Sequence, residues 1–281
     1  MRRLAFLSVL AVAALCLVGC GVKSEPTAVE VTFPSHAVDA AGQTISLRTA
    51  PLRIVSLDAG ATAILNDLGL SDATTTATVA SARREVADPT TALVVVPLGL
   101  DPALLRSIVD ATTAPVFHYG AVPLTTAPSA ITQLGLAVGR GPEAAVIASS
   151  VAAGFRALAA RLATAAPAHV LIEGRGFTAM GPASPAGLAV AAAGGTNLVT
   201  TDQPINLADM TALAVTAWVA LEPGGSTLTS LQGYPELAAV PAVRDGRVIP
   251  LPLAGVAVDA ALPSALQALA DDLRAAAVTP G

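Results

Sequence analysis

Two neighbouring side chains, His118 and Tyr119, could ligate a transition metal such as iron, because neutral imidazole and phenolate are both iron ligands in proteins. They end residues 115–119, a short apolar run that is typical of a strand. The alternative for His118 is a strand-end histidine whose nitrogens bond to the backbone, and the alternative for Tyr119 is core or rim packing. The chain has only three histidines, which disfavours a bare zinc or manganese site built from several histidines and carboxylates.

A second set of candidates lies around a glycine-rich loop at 174–181, which follows another predicted strand. The planar guanidinium of Arg175 could bind a carboxylate or the negative charge of a chelate; otherwise it is an exposed arginine without a partner. Phe177 could pack on a flat ring or against the core. Two acidic residues, Asp58 and Glu173, also lie at strand ends, where each could line a ligand site, cap a helix or be solvated.

These candidates lie at the ends of apolar runs that alternate with helical segments, a pattern typical of an α/β fold with a largely parallel sheet. One segment differs, because residues 142–165 form a single helical pattern with an unbroken apolar stripe. Such a helix would be roughly 35 Å long. We therefore predict two Rossmann-like lobes joined by one long α-helix. The predicted boundaries are 38–140 for the N-terminal lobe, 141–166 for the helix and 167–281 for the C-terminal lobe.

The N-terminus has the features of a lipoprotein signal peptide at 1–19. Two arginines precede an apolar run at 4–18, which is shorter than the ~20 residues that span a bilayer. The run leads to LVGC at 17–20, which resembles a lipobox, so Cys20 would carry the lipid anchor on the outer face of a cell membrane. A polar tether would follow at 20–37, and removal of Cys16 would leave no free thiol. The alternatives are a secretory signal with a chance cysteine and an uncleaved helix.

The composition excludes a disordered chain and disfavours a nucleic-acid-binding protein. The chain has 15 Lys and Arg against 20 Asp and Glu, a net charge of −5, so it cannot build the cationic surface of a nucleic-acid-binding protein. Hydrophobic residues make up 53% of the chain and charged residues 12%, which excludes a disordered chain. The sequence also lacks a Gly-x-Ser-x-Gly elbow and a Walker loop, which disfavours an enzyme.

Several short strings stand out in order along residues 38–276: DAAGQTI (39–45), PLRIVSL (51–57), ATAIL with LGL (61–70), AAGGTN (192–197) and LAAVPAVRDGRV (237–248). Together they resemble the substrate-binding lipoproteins of ABC importers for iron–siderophore complexes, haem and cobalamin. The sequence departs from the family pattern at 91–94 and 215–218, and 74–81 is rich in Thr and Ala where a strand is expected.

The resemblance implies a largely preformed cleft between the lobes, at the carboxyl ends of the strands, because one long helix resists closure. The cargo would be a metal chelate, with no catalytic residue, no protein-held metal and no cofactor. Partners would be a membrane permease and its ATPase, contacted near Glu85 and Asp209, which are otherwise solvated surface carboxylates. The implied ligand-binding residues are Asp58, Gly60, Thr62, Gly99, His118, Tyr119, Glu173, Arg175, Phe177 and Glu222.

The main alternative is a surface lipoprotein of the same fold that acts as an accessory subunit, sensor or adhesin without transport cargo. Aromatic residues make up only 3% of the chain, whereas pockets for haem and siderophores usually have aromatic walls. Binding measurements with these chelates would separate the two hypotheses.

Overall fold

We describe the fold from a computed structural model, in which residues 33–252 and 256–277 are described. They belong to one unit with its own core, Thr32–Gly281. The predicted signal peptide, Cys20 and most of the predicted tether lie outside the described residues. The loop 253–255, which follows the last predicted strand at the cleft, also lies outside them.

The N-terminal lobe consists of a short hairpin and a parallel sheet whose strands are separated by helices. Its strands are β1 (Ser35–Val38), β2 (Thr44–Leu47), β3 (Ile54–Ser56), β4 (Thr74–Thr76), β5 (Leu93–Pro97) and β6 (Val116–Tyr119). Its helices are α1 (Ala59–Asp67), α2 (Ala82–Val86), α3 (Pro102–Val109) and α4 (Ala127–Ala137). The hairpin pairs β1 with β2, and the parallel sheet has the order β4-β3-β5-β6.

The residues of this lobe account for its layers. The first four residues of β5, Leu-Val-Val-Val, are all completely buried, as expected of a parallel strand that is covered by helices on both faces. Asp58 and Asp101 begin α1 and α3, because their carboxylates accept hydrogen bonds from backbone N–H groups of the first turn. The strands β3 and β5 therefore each lead through a short turn into a capped helix, and these two turns lie at the carboxyl edge of the sheet.

One long helix, α5 (Gly141–Leu162), joins the lobes. It measures about 33 Å at the usual rise per residue, and it packs against α4 of the N-terminal lobe and against the C-terminal helix of the chain. Among the described residues, it is the one helix long and apolar enough to cross a membrane by length and composition alone. The helix ends at Leu162, three residues before the end of the predicted helical pattern at 165. Pro167 follows, and a proline disfavours helical backbone at the residue before it.

The C-terminal lobe repeats the plan of the first with a small antiparallel extension. Its strands are β7 (His169–Gly174), β8 (Thr178–Ala179), β9 (Thr196–Asn197), β10 (Gln203–Pro204), β11 (Ala217–Glu222) and β12 (Val248–Pro252). Its helices are α6 (Pro185–Ala192), α7 (Leu228–Gln232), α8 (Pro241–Arg244) and α9 (Leu262–Ala277). The parallel strands have the order β9-β7-β11-β12, and β8 and β10 extend the sheet beside the end of β7.

The predicted fold class, two α/β lobes joined by a long helix, is confirmed. In both sheets the first parallel strand lies between the second and the third, so each lobe has a topological switch point beside its first strand. The hairpin begins at Ser35, inside the predicted tether, which corrects the boundary at 38. The Thr-rich segment does form a strand, β4, because its backbone pairs with β3.

Candidate functional site

The carboxyl edges of the two sheets face each other. Val258 follows β12 of the C-terminal lobe, and its carbonyl accepts a hydrogen bond of 2.7 Å from the hydroxyl of Tyr119, at the end of β6. Gly60, in the turn after β3, also meets this segment, because an added Cβ there would lie 2.7 Å from the same carbonyl oxygen. The two lobes therefore touch between their strand ends. The candidate site lies at the carboxyl edge of the N-terminal sheet, beside His118.

The structure corrects the predicted role of Tyr119. Its side chain is 1% exposed, and its hydroxyl is used in the bond to Val258. Burial, together with the nearby carboxylates of Asp58 and Asp259, raises the pKa of Tyr119 well above its usual value. A neutral, enclosed phenol cannot ligate iron or pack on a ligand, so Tyr119 joins the lobes instead.

His118 has the features expected of a ligand to a metal chelate. Its Nδ1 lies 2.7 Å from Oδ2 of Asp39, and its Nε2 has no hydrogen-bond partner among the described residues. The imidazole is 18% exposed, whereas the Asp39 side chain is completely buried. One ring nitrogen is therefore held by the protein, and the other is available to a ligand.

A pocket of about 230 Å³ lies beside His118 at the carboxyl ends of β5 and β6. Three apolar side chains on its rim, Val38, Leu98 and Val122, are 48%, 37% and 63% exposed. Its remaining lining residues are Asp39, Ala40, Phe117, Gly120, Thr126, Ser129, Ala130 and Gln133. An accessible imidazole surrounded by exposed apolar groups is suited to a flat, largely apolar ligand with a metal at its centre.

The turn after β3 is held by its own polar groups. Asp58 accepts a hydrogen bond of 2.8 Å from the N–H of Ala61, and burial raises its pKa, with a smaller contribution from Asp259. The hydroxyl of Thr62 lies 2.8 Å from the carbonyl oxygen of Asp58. Asp58 and Thr62 therefore shape the turn, as the capping alternative stated. Gly99, after β5, is exposed with open space around it.

In the C-terminal lobe, Glu173 is a buried structural carboxylate and not a cleft-lining one. It is 1% exposed and accepts hydrogen bonds from the indole N–H of Trp218 (2.8 Å) and from the hydroxyl (2.7 Å) and N–H (3.1 Å) of Ser226. These three donors all belong to the protein, and they satisfy both oxygens of the buried carboxyl group. Glu173 thereby fixes the loop after β11 to the end of β7.

Two exposed charged residues, Arg175 after β7 and Glu222 at the end of β11, lie at these strand ends. The side chain of Arg175 lies along Gly224, where an added Cβ would be 3.5 Å from its Cβ, Cγ and Nε atoms. Arg175 is exposed and makes no ion pair or hydrogen bond with the described residues. Glu222 ends β11 and is also exposed. Of the predicted C-terminal residues, these two have side chains that remain available to a ligand.

Phe177 belongs to an aromatic cluster that the sequence did not reveal. Its ring centroid lies 6.1 Å from that of Trp218 and 5.7 Å from that of Tyr234. Trp218 is completely buried and Tyr234 is 42% exposed, so the cluster runs from the core to the surface. Phe177 lies between them, which favours the packing alternative.

The two predicted docking carboxylates differ. Glu85 bonds to Arg53 at 2.8 Å and to Arg84 at 2.9 Å, and these arginines, Arg84 first, lower its pKa. Because Arg53 directly precedes β3, Glu85 lies near the amino edge of the sheet; its docking role stays a prediction. Asp209 is exposed and accepts one hydrogen bond, from the Asn206 amide, which leaves it available to a partner.

The described part of the chain contains no cluster of three or more His, Cys, Asp or Glu side chains that could hold a bare metal ion.

Comparison with protein families finds no match, and comparison with curated proteins finds none. Solved structures do match. RhuT, a periplasmic haem-binding protein from Roseiflexus sp. RS-1, is 22% identical with a TM-score of 0.68, over 80% of this chain and 99% of that chain. A periplasmic haem-binding protein from Pseudomonas aeruginosa is 21% identical with a TM-score of 0.67, over 83% and 95%. The haem-binding protein HmuT is 16% identical with a TM-score of 0.70, over 86% and 91%. At these identities the likeness establishes a shared fold.

Proposed function

We propose that this protein is the extracytoplasmic substrate-binding component of an ABC importer and that its cargo is an iron chelate, with haem favoured. Two observations support this function. The fold is shared with haem-binding periplasmic proteins, and the facing strand ends present an accessible imidazole on one lobe and an unpaired guanidinium on the other. The first of these groups, His118 with its free Nε2, is the observation that carries the proposal.

The binding geometry follows from these groups. Nε2 of His118 ligates the central metal, while Val38, Leu98 and Val122 contact one edge of the macrocycle. The pocket of about 230 Å³ is smaller than the roughly 300–1,000 Å³ of ligand sites, so it receives one edge of the chelate and the rest extends toward the C-terminal lobe. There Arg175 pairs with a carboxylate of the ligand.

The proposed location and partners extend the same function. Lipid on Cys20 anchors the protein to the outer face of the cell membrane, and a permease with its ATPase receives the cargo. Of the two predicted docking carboxylates, Asp209 is favoured over Glu85, because it is exposed and makes no ion pair with an arginine among the described residues. Rim charges of this kind affect association rate and its salt dependence more than affinity.

A panel of ligands tests the proposed cargo. Protein that begins at residue 21 contains the whole unit Thr32–Gly281 and is mixed with haemin, ferric siderophores and cobalamin. A ligand at 100 times its Kd should stabilise the fold by about 2.7 kcal/mol, seen as a higher thermal midpoint. Stabilisation by a siderophore or by cobalamin alone would reassign the cargo.

The accessory or sensor function is the second candidate. The aromatic cluster of Phe177, Trp218 and Tyr234 favours it, because these rings pack on one another and do not line the pocket beside His118. If none of the ligands changes the thermal midpoint or the absorbance spectrum, the accessory function is supported and the cargo proposal is refuted.

A further inference from the structure

The hairpin turn contains a buried carboxylate that faces only hydrogen-bond donors. Oδ1 of Asp39 accepts from the backbone N–H groups of Ala41 (3.0 Å) and Gln43 (2.7 Å). Oδ2 accepts from the backbone N–H of His118 at 3.0 Å, and the same oxygen lies 2.7 Å from the Nδ1 atom of that histidine. The Asp39 side chain is completely buried, so water does not compete for these positions.

We infer that Asp39 is a positioning residue that fixes the tautomer of His118, so that Nδ1 carries the proton and the Nε2 lone pair is presented to the pocket. A neutral imidazole has one N–H and one acceptor nitrogen. Both Asp39 oxygens already accept from backbone N–H groups, the pattern of a carboxylate, which only accepts; the nitrogen that faces Oδ2 must therefore donate. The proton is therefore on Nδ1, and Nε2 is left as a metal ligand without any rearrangement.

Two further hydrogen bonds hold the hairpin, and with it Asp39, against its neighbours. The N–H of Ala40 donates to the carbonyl of His118 at 3.0 Å, and the N–H of Val38 donates to Oε1 of Gln133 in α4 at 2.8 Å. The hairpin is thus fastened to both β6 and α4. Asp39 and His118 are 79 residues apart in sequence, so the pairing is a product of the fold and not of local sequence.

This inference deepens the proposed function, because the tautomer matters for transport only if His118 ligates the cargo. It commits to a class of ligand: a chelate whose metal has a free axial position for a neutral nitrogen donor. A fully enclosed ferric complex would gain nothing from the Nε2 lone pair. The hairpin therefore contributes Asp39 to the binding site. The Asp39 side chain acts by holding His118 and does not itself contact the ligand.

The test is nitrogen-15 NMR of the histidine rings at about pH 8, where histidines are ordinarily neutral, on the protein that begins at residue 21. Only three histidines occur in the chain, and a His118→Gln variant assigns the relevant signals. The expected result is an Nδ1–H tautomer for His118 in the unmodified protein. An Nε2–H tautomer would overturn the inference without any variant and whether or not the protein binds haemin.

Asp39→Asn tests the cause. The amide keeps the shape of the carboxylate, and its carbonyl can still accept from Ala41 and Gln43. Its NH₂ group then replaces Oδ2, so the bond from the N–H of His118 is lost and Nδ1 must accept. His118 should change to the Nε2–H tautomer, and the affinity for haemin should fall at least tenfold with a changed Soret spectrum. Asp101→Asn, which alters a carboxylate cap on α3, is the matched control and should leave both readouts unchanged.

The outcomes are distinguishable. If the tautomer of His118 stays the same in Asp39→Asn, the positioning role is wrong even where haemin affinity falls, because the loss then reflects general damage. If the tautomer changes but the unmodified protein binds no haemin, the positioning role stands and the proposed cargo fails. If Asp39→Asn is too unstable to measure, the tautomer of the unmodified protein decides.

Discussion

Removal of the Tyr119 hydroxyl tests whether the two lobes are joined at the base of the cleft. In Tyr119→Phe the ring stays buried, and only the 2.7 Å bond to the carbonyl of Val258 is lost. A hydrogen bond contributes about 0.5–1.5 kcal/mol net, and a buried acceptor left unsatisfied costs about 1–3 kcal/mol. We therefore expect the free energy of unfolding to fall by about 1–2 kcal/mol, because the carbonyl keeps no equivalent donor on the other lobe.

Urea unfolding followed by circular dichroism measures this change, and at this chain length each kcal/mol lowers Tm by about 2–4 °C. The matched control is Tyr234→Phe, since Tyr234 is the only other tyrosine, is 42% exposed and has no hydrogen bond from its hydroxyl among the described contacts. The control should remain within about 0.5 kcal/mol of the unmodified protein. Equal stability of the two variants would refute the proposed lobe contact.

The remaining predictions concern charge, cargo and anchor. Because burial and the charge of Asp259 raise the pKa of Asp58 above its ordinary 3.8, the folded state binds protons more readily than the unfolded state, and this group lowers stability as pH rises. Asp58→Asn, which keeps the cap, should be more stable than the unmodified protein at about pH 7 and lose the advantage at about pH 4; a gap in urea midpoint that does not change with pH would contradict this. Arg175→Ala should weaken an anionic cargo by about 1–3 kcal/mol in a calorimetric titration, whereas Arg156→Ala, an exposed arginine on α5, should not; an unchanged Kd in both would remove Arg175 from the site. Cys20→Ala should abolish labelling by a fatty-acid probe in cells, and continued labelling would exclude the anchor.

The sequence predicted the features that depend on local pattern. The apolar stripe over residues 142–165 predicts the long helix. In the structure this helix is α5, and it packs against α4 and α9. The positions of His118 and Arg175 at strand ends follow from runs of apolar residues that end in polar or glycine-containing turns. Parallel strands place such turns at one edge of a sheet. The sequence therefore indicated that the candidate residues lie at the carboxyl edge of each sheet.

The features that the sequence did not predict depend on distant contacts. Tyr119 is enclosed by Val258, 139 residues away, and Glu173 is enclosed by Trp218 and Ser226. No spacing in the sequence identifies such partners. Asp39 had a local signal, because an aspartate three residues before a turn glycine often bonds to backbone N–H groups of its own turn. That signal did not indicate its second oxygen, which faces His118.

Spectroscopy of bound haemin tests the central claim most directly, namely that a chelate binds between the facing strand ends with His118 as ligand to its metal. Absorbance and electron paramagnetic resonance spectra are recorded for the unmodified protein, His118→Gln and His169→Gln. His169 is exposed at the start of β7, so the account predicts histidine-ligated iron in the unmodified protein and in His169→Gln, and loss of that signature only in His118→Gln. Identical spectra for all three proteins would contradict it.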